Sequence, residues 1–181
     1  MQEIQVFDDV FNQQFIKELH DICIGIPLRS GNIANRLDPK YGGKGSHNLL
    51  GCNLFVKQSP YIYESICPLP IMRALEHIAD NVIKKKFELT NIDMNAQVMS
   101  MNGTTHTDGN DYTILLMPNS EWNSEWGGQL EFLENDEVVG SVPYMSGRVV
   151  FFKGDIPHRG LAPIVPYVYR FSIAYRVKLI S

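Results

Sequence analysis

The chain has 181 residues, 44% hydrophobic and 20% charged, close to an ordinary globular protein and enough to bury one sizeable core. A net charge of −4 leaves no basic field to draw nucleic acid or an anionic membrane, and no apolar run approaches the roughly 20 residues that span a bilayer. The three cysteines, Cys23, Cys52 and Cys67, are odd in number and lack C-x-x-C spacing; idle thiols in a reducing cytoplasm are expected, not a disulfide framework or a zinc knuckle.

The opening MQEIQVFDDVFNQQF has no basic stretch followed by an apolar one, so no export signal is expected. Phe11, Phe15, Leu19, Ile22 and Ile26 recur at helical spacing behind Asp8, Asp9 and Asn12, which predicts a helix over about 11–24. Residues 28–60 have no clear period. They hold Arg29, Arg36, Lys40, Lys44 and Lys57 against the single acid Asp38, a surplus of four positive charges, with Gly42, Gly43 and Gly45 in the middle. Two readings stand for this segment: a mobile lid that selects substrate, or a solvated connection. Pro70 opens a second helix with Ile71, Leu75, Ile78, Val82 and Ile83 on one face, and Lys84, Lys85 and Lys86 form its solvated C-terminal end. His20 and His77 fall in these helices without acidic or cysteine partners at chelating spacing, and His47 reads as a surface histidine.

From residue 90 the pattern changes to short strands bounded by Gly, Pro, Asn and Asp, at 92–101, 112–117, 129–133, 137–142, 148–153 and 168–177. Strands at this spacing with no helices between them indicate an antiparallel sandwich or barrel, with the two helices over one outer face. One domain over 1–181 is expected, helical to about 90 and strand-rich over about 91–178.

His106 and Asp108 lie two apart in an extended segment, so their side chains share a side. By themselves they are better read as an Asp108-capped turn with His106 in solvent. The stretch GRVVFFKGDIPHRG supplies a third candidate, His158, at the end of an apolar strand. Two histidines and a carboxylate on separate strand ends suit a non-haem Fe(II) centre with open positions. In YVYRFSIAYRV, the aromatic positions alternate with Arg170, Ser172, Ala174 and Arg176. The second set faces either water or a cavity; in a cavity, Arg170 would offer a fork for a carboxylate and Ser172 a second donor.

The ordered set His106-Thr107-Asp108, EWGGQLEF, GRVVFF, His158 and Arg170-Phe171-Ser172, the arginine twelve residues after that histidine, resembles the Fe(II)- and 2-oxoglutarate-dependent dioxygenases, in particular their prolyl-4-hydroxylase-like branch. The resemblance covers about 92–178, and more loosely the opening VFDDVFNQQFIKELHDI. It implies a mainly β fold, the double-stranded β-helix or jelly roll, with N-terminal helices packed on one sheet. It implies His106, Asp108 and His158 as Fe(II) ligands and Arg170, with Ser172, as the site for the distal carboxylate of 2-oxoglutarate. The cofactors implied are Fe(II), 2-oxoglutarate and O2, with ascorbate as a candidate reductant.

The activity implied is hydroxylation of an unactivated C–H bond with release of succinate and CO2. A prolyl residue of a peptide or protein is the first candidate substrate, and a free amino acid or small metabolite the alternative. The resemblance is to members with arginine, not the lysine of collagen-type enzymes. The tyrosine that often assists this carboxylate is replaced by Leu116 or Met117, with Ser172 or Thr113 as substitutes. Gly127 and Gly128 would permit close backbone approach, and Leu130 or Phe132 would wall the cavity. A non-catalytic jelly-roll module is the rival reading. A zinc hydrolase lacks a spare general base near His158. Neither nucleic acid nor membrane is expected as a partner.

Overall fold

A computed structural model describes residues 4–30, 49–59, 62–109 and 112–180. In chain order its elements are β1 (Gln5–Phe7), α1 (Gln13–Gly25), β2 (Arg29–Ser30), β3 (Leu50–Ser59), β4 (Ile62–Ser65), α2 (Leu69–His77), β5 (Phe87–Gln97), β6 (Tyr112–Leu116), β7 (Leu130–Glu134), β8 (Glu137–Val142), β9 (Val149–Lys153), β10 (His158–Gly160) and β11 (Arg170–Leu179). The strands form two antiparallel sheets. The major one runs β1-β9-β6-β11-β5-β3-β2 with β4 beside β3, and the minor one runs β10-β7-β8. This is the two-sheet, mainly β architecture of a jelly roll.

Helix α1 starts where Asn12 Oδ1 accepts the Phe15 amide at 2.9 Å, the capping expected of an Asn there. The second helix does not run on regularly to the lysines. It is α-helical to His77, widens into a π-helical segment over Ile78–Ile83, and stops at Lys84 in the left-handed region with φ 55°. The wider turn carries both Ile78 and Ile83, five apart, into the core. Lys84, Lys85 and Lys86 are exposed.

One face of the major sheet is packed by the helices: Leu19, Cys23, Ile71 and Ile78 meet Ile92, Met94, Ile114, Ile173 and Tyr175. A second apolar cluster, with Leu115, Leu130, Phe132, Val150 and Phe152, lies on the other face against the minor sheet. Val149 and Phe151 belong to the first cluster and Val150 and Phe152 to the second, which explains why β9 is apolar without alternation: both of its faces are buried.

Three expectations change. The front is not only helical, because β1, β3 and β4 join the major sheet. Residues 50–59, expected within a loop, are the strand β3 paired to β5, and Lys57 ion-pairs with Glu88 across that pairing. The rest of the expected lid, including Lys40, Lys44, His47 and Gly42 to Gly45, lies outside the described residues. The strand expected over 92–101 is displaced to Phe87–Gln97, because β5 begins directly after the lysines and must match the ten-residue β11.

Candidate metal centre and anion site

His106 and His158 come from distant parts of the chain and meet as an antiparallel bridge, each donating its backbone N–H to the other's carbonyl, at 3.0 and 2.9 Å. The Asp108 amide donates to the Gly154 carbonyl at 2.7 Å, fixing the carboxylate beside the same turn. The candidate ligand atoms of His106, Asp108 and His158 all lie within 4.8 Å of one another.

The surroundings fix the imidazole tautomers. His106 Nδ1 is 2.9 Å from the Thr104 carbonyl and His158 Nδ1 is 2.8 Å from that of Ile156. A carbonyl only accepts, so each Nδ1 carries the proton and each Nε2 presents a lone pair. Those Nε2 atoms lie 3.8 and 3.6 Å from the Asp108 oxygens. Burial pushes the Asp108 carboxyl up, but the Arg176 guanidinium and the Thr113 hydroxyl hold it well below the usual carboxylate range. It is therefore an anion facing two nitrogen lone pairs, a donor set that can hold a divalent cation.

Arg176 and Asp93 adjoin this cluster and were not singled out from the sequence. Arg176 Nη2 donates to Asp108 Oδ1 at 2.9 Å and its Nη1 to Asp93, which also accepts from Asn53 and from Asn91 at 2.6 Å. Burial pushes Asp93 above the ordinary carboxylate value, against the pull of Arg176 and the two carboxamides. Arg176, Asn53 and Asn91 all donate to it, the surroundings that suit a carboxylate paired with a guanidinium.

About 120 Å³ of cavity opens from this cluster along the inner faces of β5 and β11 to Arg170. The apolar residues of β11 pack under the helices and Arg170, Ser172, Ala174 and Arg176 line the cavity, so the cavity reading of that strand holds over the water reading. Arg170 is 2% exposed. Its Nε donates to the Gly128 carbonyl at 2.7 Å, its Nη1 to Gln97 Oε1 at 2.8 Å, and its guanidinium lies 5.0 Å from the centre of the Tyr144 ring. The Nη2 atom is buried without a hydrogen-bond partner, and Arg170 makes no ion pair among the described residues. Burial pulls its pKa down to about 10. A buried guanidinium with an unmet donor and no carboxylate is costly unless an anion joins it.

Glycines make the room. A Cβ on Gly160 would sit 3.1 Å from Nη1 and 3.2 Å from Nη2 of Arg170, and one on Gly128, at φ 81°, would meet Trp122 at 2.8 Å. Gly127 is likewise left-handed, with φ 73°. Leu130 lines the cavity, whereas Phe132 packs in the apolar cluster beside Phe152.

The substitute hydroxyls separate. Thr113 Oγ1 donates to Asp108 Oδ2 at 2.5 Å and so lies with the candidate ligand cluster and not with Arg170. Ser172 lines the cavity between Arg170 and Ala174. On β6 the inward residue above Thr113 is Leu115; Leu116 packs under the helices and Met117 in the second apolar cluster. Tyr144, which the sequence reading did not name, stacks under the guanidinium. Its hydroxyl, 2.6 Å from Asn119 Oδ1 and 2.7 Å from the Phe171 carbonyl, ties that platform to the base of β11. His20 is structural, 2.7 Å from Ser120 Oγ, and His77 lies 3.1 Å from the Val10 carbonyl.

No protein-family model and no curated protein sequence matches the chain. Solved structures do. A 2OG-Fe(II) oxygenase family oxidoreductase from Burkholderia pseudomallei superposes with a TM-score of 0.70 at 10% identity over 97% of this chain and 85% of that one. A Trichoplax adhaerens prolyl hydroxylase in complex with a hypoxia inducible factor peptide fragment gives 0.66 at 14% identity, covering 98% and 84%. The non-haem alpha-ketoglutarate-dependent epimerase SnoN of nogalamycin biosynthesis gives 0.65 at 11%, covering 98% and 78%. The chain therefore has the jelly-roll fold of the 2OG-Fe(II) oxygenases.

Proposed function

We propose that this chain is an Fe(II)- and 2-oxoglutarate-dependent oxygenase in which His106, Asp108 and His158 hold the iron and Arg170, with Ser172, binds the distal carboxylate of the keto acid. The observation that carries the reading is the pairing, within one cavity, of a two-histidine, one-carboxylate cluster with a buried arginine whose Nη2 has no partner. A binding module needs no such anion anchor beside a cation cluster. When bound, the iron and keto acid supply dioxygen activation, in which 2-oxoglutarate and O2 become succinate and CO2 while a substrate C–H becomes C–OH.

The chain's own residues do the rest. The backbone carbonyls of Thr104 and Ile156 hold the two imidazoles in the tautomer that donates from Nε2. Gln97 and Gly128 take two donors of Arg170 and leave one edge for a carboxylate, a charge-assisted contact stronger than a neutral hydrogen bond. Leu115 and Leu130 give the cavity its dry wall. The three cysteines, none of them in a disulfide, suit a reducing, cytoplasmic setting, and the chain is read as one catalytic domain.

For the substrate, a prolyl residue in a peptide or protein is the first reading, supported by the prolyl hydroxylase with its bound peptide among the structural neighbours. One observation favours the second, a free amino acid or another small polar metabolite. Asp93, Asn95 and Gln97 line the cavity from β5 opposite Ala174, Ser172 and Arg170, so the wall beyond the metal cluster is largely polar and, among the described residues, presents no Phe, Tyr or Trp to a pyrrolidine ring. Succinate release, measured across proline-containing peptides and free amino acids, separates the two: whichever class stimulates turnover together with its own hydroxylation is the substrate class.

A further inference from the structure

We infer that Arg176, backed by Asp93, is the positioning residue of the metal cluster: it fixes the rotation of the Asp108 carboxylate, while Asp93 offsets its charge so that Asp108 still presents a full negative charge to a cation. The inference rests on the metal reading of His106, Asp108 and His158.

The register of the sheet creates the arrangement. Arg176 on β11 stands opposite Thr113 on β6 and Asn91 on β5. Thr113 reaches Asp108 Oδ2 at 2.5 Å and Arg176 reaches Oδ1 at 2.9 Å, so each carboxylate oxygen has its own donor and the group cannot turn about its axis. On the far side, the same guanidinium is bound to Asp93, which Asn53 and Asn91 hold in place. Asp93 and Asp108 are 4% and 8% exposed, so water does little to screen the three charges from one another.

The count of charges explains why two acids are needed. Arg176 with Asp108 alone would be neutral, and a dication would meet two neutral imidazoles and a carboxylate already satisfied by a guanidinium. Asp108 without Arg176 would leave two buried carboxylates facing each other with one free to swing. With all three, the group keeps one net negative charge and one fixed orientation. Partners behind a metal ligand are commonly worth ten- to a hundred-fold in affinity. Here the two partners pull in opposite directions, which makes the roles separable.

Three variants of the whole chain read this out: Asp93→Asn, Arg176→Gln, and both together. Their local charges are zero, two negative and one negative, against one negative in the native protein. Mn(II) binding is followed by the paramagnetic resonance of the free ion, and the environment of bound Co(II) by its visible absorption. Asp93→Asn is expected to weaken Mn(II) binding at least about tenfold. Arg176→Gln is expected to bind Mn(II) as tightly as the native protein or tighter, with a changed Co(II) spectrum because Oδ1 is released. The double variant is expected to return to within about threefold of native affinity.

Loss of affinity in all three variants in step with a falling melting temperature would overturn the inference, as would an Asp93→Asn affinity within twofold of native. Should Arg176→Gln alone not fold, the double variant, with the native local charge, decides the matter together with Asp93→Asn. Native protein and His158→Ala are measured in parallel. If native protein binds Mn(II) and His158→Ala does not, the metal reading stands whatever the Asp93 variant does.

Discussion

Gln97 and Arg170 face each other across the pairing of β5 with β11, and the 2.8 Å bond from Arg170 Nη1 to Gln97 Oε1 leaves Nη2 as the donor without a partner. Losing a charge-assisted contact to a bound carboxylate costs roughly 1.5 to 3 kcal/mol. Arg170→Ala should therefore raise the apparent KM for 2-oxoglutarate at least about tenfold while leaving Mn(II) affinity unchanged. Arg170→Lys should recover only part of the loss, since lysine keeps the charge without the fork. An unchanged KM in the alanine variant would remove Arg170 from the cosubstrate site.

Gly128 gives a second handle on the same arginine. Its φ of 81° disfavours any side chain, and an added Cβ would press on Trp122 and come within 3.3 Å of Arg170 Cδ. Gly128→Ala should destabilise the protein by about 1 to 3 kcal/mol and raise the KM for 2-oxoglutarate with little effect on metal binding. Thermal melting and 2-oxoglutarate kinetics check it; a variant neutral in both would show that the loop yields freely.

Thr113 and Ser172 should part company. Thr113 donates to Asp108, so Thr113→Val should lower Mn(II) affinity about tenfold or more and leave 2-oxoglutarate binding to fully loaded protein unaltered. Ser172→Ala should do the reverse, through its place beside Arg170 in the cavity. The opposite pattern would return Thr113 to the cosubstrate's side.

Away from the site, Arg148 Nε and Nη2 grip Asp8 at 2.7 and 2.8 Å, joining the residue after β1 to the residue before β9. The hydrogen bonds from Arg148 hold the Asp8 carboxyl below its ordinary value. A carboxylate depressed on folding contributes stability that is fully present above its unfolded pKa of about 4 and is lost as pH falls through the folded value. The Asp8 side chain is 37% exposed, so solvent screening keeps the contribution modest. Melting temperature against pH should fall less steeply below about pH 4 in Asp8→Asn than in native protein. Equal slopes would show that the pair is not linked to folding.

Much of this site was legible in the sequence because its signals are local: a histidine and an aspartate two apart, a histidine closing an apolar strand, an arginine alternating with aromatics. The six strands from 90 onward announced themselves by β-branched runs between turn residues. What stayed hidden depends on pairing across the chain. In NIDMNAQ the polar residues Asp93, Asn95 and Gln97 alternate with Ile92, Met94 and Ala96, and only the helices packed over the apolar set make the polar set a cavity wall. Arg176 was one of four alternating residues with no role of its own, because nothing in the order of residues tells that Thr113 and Asn91 flank it. Tyr144 lies in a segment without a strand signal, and its role comes from meeting Arg170 across 26 residues of chain. β3 escaped because its alternation is broken by a register shift between Asn53 and Phe55.

The central claim is that one cavity binds a divalent metal and 2-oxoglutarate together, and calorimetric titration of 2-oxoglutarate into Mn(II)-loaded protein under anaerobic conditions tests it without needing the substrate. The account predicts one equivalent bound, binding lost when the metal is removed or His158 is replaced by alanine, and affinity at least about tenfold weaker in Arg170→Ala. Folded, metal-loaded protein that takes up no 2-oxoglutarate, or takes it up equally in all of these forms, would contradict it.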